Sequence, residues 1–252
     1  RVLKAMAPPP RLTISEWADQ NRKLSPESSA ESGQWYTARA EYQRAIMDEI
    51  TNPATEQIVV MSSAQVGKTE ILLNAIAYHM AVDKAPMLCL QPTLEMAQTF
   101  SKDRIAPMLR DTPALHGIVA PARARDSGNT TRQKSFAGGS LNIAGSNSPS
   151  SLASRSVRLV FADEVDRYPP SAGTEGDSIS LAAKRMATFS NSKLILTSTP
   201  TVEGASRIEA AYKASDQRKY FVECHDCGTW QTLEWQNVSW PDGKPDEAVY
   251  VC

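Results

Sequence analysis

The stretch at residues 62–69, Ser-Ser-Ala-Gln-Val-Gly-Lys-Thr, most constrains what this chain can fold into. The apolar residues Ile58, Val59, Val60 and Met61 lead into it, and an apolar-periodic stretch from Glu70 to Met80 follows. That order, strand then loop then helix, is the context a phosphate-binding loop needs: the loop bends over phosphate groups and the helix N-terminus aims its N–H groups at them. On this reading Ser62, Ser63, Ala64, Gln65, Val66, Gly67, Lys68 and Thr69 bind nucleotide. Amides from Ala64 to Lys68 cradle the α- and β-phosphates, the Lys68 ammonium reaches the β- and γ-phosphates, and the Thr69 hydroxyl is a Mg²⁺ ligand. Gly67 lets the backbone approach the ligand closely. The usual pattern G-x-x-x-x-G-K-[ST] is broken at its first position, where Ser62 stands for Gly, and an ordinary strand-to-helix turn is the competing reading.

A second anchor lies at residues 158–164, Arg-Leu-Val-Phe-Ala-Asp-Glu, where an apolar run ends in two adjacent carboxylates. After a phosphate loop, the first carboxylate, Asp163, holds Mg²⁺ directly or through water. The next, Glu164, orients and deprotonates the attacking water. Alone, the same pattern is a common surface strand end. A third apolar run, residues 193–198, closes on Ser198 and Thr199 before Pro200. Hydroxyls there either sense the γ-phosphate and couple hydrolysis to movement, or only cap a strand exit.

Between these anchors the order reads β-α-β-α, the signature of a parallel sheet covered by helices. A strand is expected around 87–91, a helix over 94–109, a hairpin around 134–143 and helices over 176–189 and 203–215. Upstream, an irregular arm with Pro8, Pro9 and Pro10 precedes a short helix carrying Trp17 and capped by Ser15. A helix over 36–50, ended by Pro53, carries Tyr42 and Gln43. Gln43 sits where many helicase-like motors read adenine beside an aromatic, and an exposed Gln on an amphipathic helix is the alternative. Arg123, Arg125, Arg132 and Lys134 lie among Ser, Thr, Gly and Asn, a loop suited to DNA phosphates or simply solvated.

Composition excludes little. The 252 residues carry a formal net charge of −1, so any DNA contact rests on local basic patches. No signal peptide and no apolar run of bilayer-spanning length is found, which points to a cytoplasmic location. The chain opens at Arg1 and ends on Cys252, so a piece of a longer protein is expected. Of the four cysteines, Cys89 falls in an apolar strand, whereas Cys224, Cys227 and Cys252 gather near the end. Residues 224–228, Cys-His-Asp-Cys-Gly, have the form of a zinc knuckle, with Cys252 at zinc-ribbon spacing and a fourth Zn²⁺ ligand still to be found. His225 suits that place less well, and a redox Cys-x-x-Cys is the alternative.

With these motifs in order, the chain resembles the large subunit of the tailed-phage terminase, in its lambda-type branch. The resemblance is carried by Ser15 to Ala18, Glu41 to Arg44, the 62–69 loop and Ser151 to Ser156. It continues through Phe161 to Asp166, Glu175 to Asp177, Ser198 to Thr201 and Cys224 to Gly228. It implies the ATPase domain of a DNA-packaging motor: a three-layer α/β P-loop fold of the additional-strand, catalytic-glutamate type with a mainly parallel sheet. A small zinc-ribbon-like appendage would follow. The expected division is an arm and short helix at 1–35, the ATPase domain at 36–220 and the appendage at 221–252, with a nuclease domain beyond and no nuclease activity in this span. The implied cofactors are ATP and Mg²⁺, with Zn²⁺ at the cysteines. The implied partners are double-stranded DNA, the small terminase subunit and the portal of the procapsid. A homo-oligomeric ring is expected in the assembled motor, and a monomer in isolation, in the host cytoplasm. Many terminases carry a basic residue inside the loop where this chain has Ala64 and Gln65. Arg155, Arg158 and Arg185 are therefore arginine-finger candidates, with Arg155 preferred. The alternatives are a helicase-like translocase of another system, which would need a second motor lobe, and a non-hydrolysing nucleotide-gated DNA-binding module.

Overall fold

A computed structural model of the chain describes residues 12–120, 128–148 and 155–252. The proline arm, Arg123, Arg125 and residues 151–154 of the family-like stretch lie outside the described residues. The described chain divides into two compact units, one running to Lys213 and the other from Ala214 to Cys252.

The first unit opens with α1 (Ile14–Asn21). Its cap is Thr13 rather than Ser15: Thr13 and Glu16 form a reciprocal capping box. Ser15 is inside the helix and fully buried, its amide and hydroxyl both donating to Asp48. Strands β1 (Lys23–Leu24) and β2 (Gly33–Gln34) pair antiparallel. Then come α2 (Tyr42–Thr51), β3 (Gln57–Met61), α3 (Lys68–Ala81) and β4 (Pro86–Gln91). The helix expected over 94–109 is α4 (Leu94–Phe100) and α5 (Ala106–Asp111), joined by a π-helical turn at Ser101–Ile105. Pro107 explains the break, because it has no N–H to donate back along the helix and the wider turn absorbs the mismatch.

Strands β5 (Gln133–Phe136) and β6 (Gly139–Gly145) form the expected hairpin. They are followed by β7 (Leu159–Asp163), α6 (Ser178–Lys184), β8 (Lys193–Ser198) and α7 (Arg207–Lys213). Helix α6 is shorter than its apolar pattern suggests, and past Arg185 the chain continues in i→i+3 turns such as Phe189 N–H to the Met186 carbonyl.

The main sheet has the order β3-β8-β7-β4-β6-β5. All neighbours are parallel except the β5–β6 edge hairpin. The fold is therefore α/β with a mostly parallel central sheet. Alternation along each strand feeds two cores. Met87, Cys89, Leu159, Phe161 and Ile195 face one side, with α1, α2 and α3. Leu88, Leu90, Val160, Ala162, Leu194 and Leu196 face the other, with α6 and α7. Both faces being covered is why the strands read as continuous apolar runs. Each large aliphatic buried this way contributes about 1.5–3 kcal/mol. Among the described residues, no helix is long and apolar enough to cross a membrane.

In the second unit, β9 (Val222–Glu223) pairs with β10 (Trp230–Gln231) and β11 (Val238–Ser239) with β12 (Val249–Tyr250), both antiparallel.

One close approach ties the sheet edge to its neighbour. A Cβ at Gly139 would lie 2.4 Å from the Ala85 carbonyl oxygen and 2.7 Å from the Phe136 ring. Backbone cannot yield as a side chain does. Gly139→Ala is expected to lower unfolding free energy by about 1–3 kcal/mol in a denaturant titration.

Candidate functional site

Parallel strands put their C-terminal ends at one edge of the sheet, and ligands of open α/β folds bind there. At this edge β3 leads into the glycine-lysine loop, β7 ends on Asp163 and β8 ends on Ser198. Strand β8 lies between the other two, so all three segments converge.

The loop is held in a specific shape. Gln65 has φ 62° and Gly67 φ 77°, both left-handed. The Val66 carbonyl, turned back by this path, accepts from the Tyr42 hydroxyl at 2.9 Å and from Gln43 Nε2 at 3.0 Å. The conformation at this position requires glycine, and a Cβ on Gly67, 2.5 Å from that same Gln43 nitrogen, would also displace the Gln43 amide. Among the described residues, the amides of Ala64, Gln65, Val66 and Gly67 donate to no protein acceptor, which leaves four N–H groups for an anion. Ser62 donates its amide to the Ser198 carbonyl at 3.3 Å, joining loop and β8.

Lys68 opens α3 and is buried, at 6% exposure. Its Nζ donates to the Ser63 carbonyl at 2.9 Å and to Thr199 Oγ1 at 2.8 Å, and stands 3.9 Å from Glu164 Oε1. Asp163 is 3% exposed. One carboxylate oxygen accepts from Thr197 at 2.7 Å and the other from Thr69 at 3.2 Å. The pairing of a hydroxyl with a carboxylate supplies hard oxygen donors of the kind Mg²⁺ takes. Glu164 holds a left-handed backbone, φ 54°, and its second oxygen is 3.6 Å from Arg167 Nε. The candidate residues Lys68, Thr69, Asp163, Glu164 and Thr199 are thus brought together.

Four candidate residues have other surroundings. Gln43 is 2% exposed and turned onto the loop, with its Oε1 buried and unpartnered. Arg158 is engaged elsewhere, in an ion pair with Asp83 at 2.5 Å, before the start of β7. The Val157 amide binds the Arg185 carbonyl in that same region, so Arg185 also lies at the strand-start end. Arg155, two residues earlier, is exposed and, among the described residues, makes no ion pair with the cluster.

Sequence reasoning counted Asp166 within a family-like stretch but gave it no role. Its amide donates to Ser198 Oγ at 3.3 Å. Its carboxylate accepts from the Thr201 amide at 2.9 Å, the Thr201 hydroxyl at 3.0 Å and the Ile208 amide at 2.8 Å. Asp166 therefore caps α7 from another element and ties it to the end of β8. The only signal for it in the sequence is a third acid two residues after Glu164. Glu70, next to Thr69, was also unremarked. It pairs with Arg22 at 3.3 Å, fastening the β1–β2 hairpin to the start of α3. Burial pushes the Glu70 carboxyl up and the Arg22 guanidinium down, each partly offset by the other.

A mostly parallel sheet whose strand ends gather a glycine-lysine loop and paired carboxylates defines a class of α/β proteins that bind ligands across that edge. Within it, residues 29–252 match the family described as phage terminase large subunit gpA, ATPase domain, and the chain belongs to that family. It is 30% identical over 259 residues to the terminase large subunit of Enterobacteria phage P21, covering 100% of this chain and 40% of that protein. It is 29% identical over 258 residues to the terminase large subunit of Escherichia phage lambda, covering 99% of this chain and 40% of that protein. The chain thus spans about two fifths of the length of the curated relatives it matches. Its fold is similar to the crystal structure of the HK97 bacteriophage large terminase, with TM-score 0.62 and 14% identity over 82% of this chain and 43% of that one.

Burial opposes ionisation of Asp166, but the Ile208, Ser206 and Thr201 donors outweigh it and hold the carboxyl below its usual value. Its contribution to stability is complete above the unfolded carboxylate value, about 4. It is lost as pH falls through the lower folded value. Asp166→Asn is expected to cost about 0.5–2 kcal/mol at neutral pH, as loss of a helix cap does. It should also lose less stability than the parent below about pH 4, read by thermal melts across an acid series.

Proposed function

We propose that this chain is the motor domain of a packaging terminase, coupling Mg-ATP hydrolysis to translocation of double-stranded DNA into a procapsid. The observation that carries the reading is the Asp163 carboxylate held between Thr69 and Thr197, with Lys68 3.9 Å from the adjacent Glu164. The placement of β8 between the loop strand and the acidic strand supports the additional-strand, catalytic-glutamate type of P-loop fold.

In this mechanism the free amides of Ala64 to Gly67 and the Lys68 ammonium bind the phosphates, together with Ser62 and Ser63 at the loop entrance. Thr69 and Asp163 would hold Mg²⁺, which would supply charge neutralisation for the transferred phosphoryl group. Glu164 takes the proton of the attacking water. Gln43 supports the loop that faces the nucleotide and serves the adenine end. Lys68 gives up its bond to Thr199 when it turns to the γ-phosphate, which frees the exit of β8. Ser198 and Asp166 pass that change to α7, so Ser198 and Thr199 act as the coupling pair. Ala64 and Gln65 leave the loop without a cation of its own. The exposed Arg155 supplies one across a ring of copies, to a neighbouring subunit's γ-phosphate. The partners on this reading are DNA, the small terminase subunit and the portal, in the host cytoplasm. The thiols of Cys224, Cys227 and Cys252 hold one Zn²⁺ in the appendage.

The decisive measurement is Mg²⁺-dependent ATP turnover with and without linear duplex DNA. Glu164→Gln is expected to lower turnover by about 10²–10⁴-fold, the usual worth of a general base, while nucleotide binding persists. Lys68→Ala should weaken binding itself. Full turnover in Glu164→Gln would remove this carboxylate from the mechanism.

A further inference from the structure

The unit Ala214–Cys252 contains no buried residue, in contrast to the two-sided core of the first unit. Its large apolar side chains are outside: Trp230 is 63% exposed, Trp235 77% and Leu233 64%. Its four strands are two residues each. With no side chain buried among these residues, apolar burial does little to offset their chain entropy, and folds of this kind usually need disulfides or a metal.

The thiols converge where a core would be. Sγ atoms of Cys224, Cys227 and Cys252 lie within 4.8 Å of one another, and those of Cys227 and Cys252 are 3.6 Å apart. Tetrahedral Zn–S bonds of about 2.3 Å require sulfur atoms about 3.8 Å apart, so the spacing fits a shared ion. The backbone is arranged to bring them there. Cys224 N–H donates to the Thr229 carbonyl at 3.0 Å, and Gly228 N–H to the Cys224 carbonyl at 2.9 Å, closing the turn that places Cys227 beside Cys224. Gly228 takes φ 71°, which a turn this tight requires. From the other hairpin, Val251 N–H donates to the Asn237 carbonyl at 2.8 Å and delivers Cys252. Cys224 and Cys227 thus come from the first hairpin and Cys252 from the second.

We propose that one zinc ion is the folding core of this unit: three thiolates from two hairpins close around it, and without it the unit opens while the first unit stays folded. The inference rests on the zinc reading above and goes beyond it, from binding to the dependence of this fold on the ion. Binding releases the three thiol protons to solvent and leaves Zn(SR)₃⁻, with the fourth ligand coming from outside the described cluster. No electron is transferred.

The test uses the whole chain, purified with Zn²⁺ and desalted, with metal content measured per chain and amide exchange followed by mass spectrometry with and without a strong zinc chelator. One zinc per chain is expected. On chelation, peptides covering residues 222–251 should exchange at least tenfold faster, with Zn²⁺ restoring them. Peptides from α3 and β7 should be unchanged. A thiol reagent should find three reactive cysteines after chelation and none before, Cys89 staying protected by its burial. Cys227→Ser should reproduce the chelated state with the first unit intact. Absence of bound zinc, or a Cys227–Cys252 disulfide in its place, would overturn both the site and the inference. One bound zinc with the same exchange before and after chelation would keep the site and overturn the folding role.

Discussion

The Asp163 carboxylate is the point on which the site depends. It is almost fully buried at the end of β7, and a buried carboxylate survives only if its oxygens are satisfied. Both are: Thr197 donates to one and Thr69 to the other. These donors come from two different elements, so the interaction constrains topology. Thr197 is opposite Asp163 in the parallel register of β7 and β8. Thr69 sits in the first turn of α3, which follows β3 on the far side of β8. With β8 between β3 and β7, the sheet satisfies both oxygens at once.

Around that carboxylate the backbone stores strain. The described non-glycine residues at positive φ are Gln65, Glu164 and Gln217, and two of the three are in this site. Each such residue costs on the order of 1–3 kcal/mol and persists because the surroundings over-determine it. For Glu164 the surroundings are the ends of β7 and β8. For Gln65 they are the Val66 carbonyl, fastened by Tyr42 and Gln43, and the Ser62 amide on β8. Lys68 then has a single narrow place to go, between Ser63, Thr199 and Glu164. On the proposed reading, this cation, held by two neutral oxygens and one carboxylate edge, exchanges them for phosphate, because a bond between two ionised groups exceeds one from the same cation to a neutral carbonyl.

What the sequence made legible is what is local. The β3-loop-α3 unit and the end of β7 could be read because their chemistry lies within a few consecutive residues: an apolar run, then Gly-Lys-Thr or Asp-Glu. Asp166 could not be read, since its partners Thr201 and Ile208 are 35 and 42 residues away and are brought near by packing of α7. Lys193 is similar. Its apolar neighbours mark a strand, yet its ammonium is buried against the carbonyls of Asn52 and Thr55, well over a hundred residues earlier. Ser15 was misread for the opposite reason. It has the residue type of a cap, but Thr13 has the type and also a Glu three positions on, while Ser15 is drawn into the helix by Asp48. The arginines show the same limit. Charge in the sequence does not tell that Arg158 is spent on Asp83 while Arg155 is exposed.

The two units solve the stability problem differently, and this bears on how the chain responds to its surroundings. The first buries apolar side chains on both faces of a six-stranded sheet. The site can then be strained, because the cores on either side of β7 and β8 carry the cost. The second has no such reserve. Short strands and exposed aromatics leave its order to backbone turns and to whatever holds three sulfur atoms together. On the zinc proposal, a change of metal or redox conditions acts on the terminal unit, whereas a change at the strand ends acts on the glycine-lysine loop.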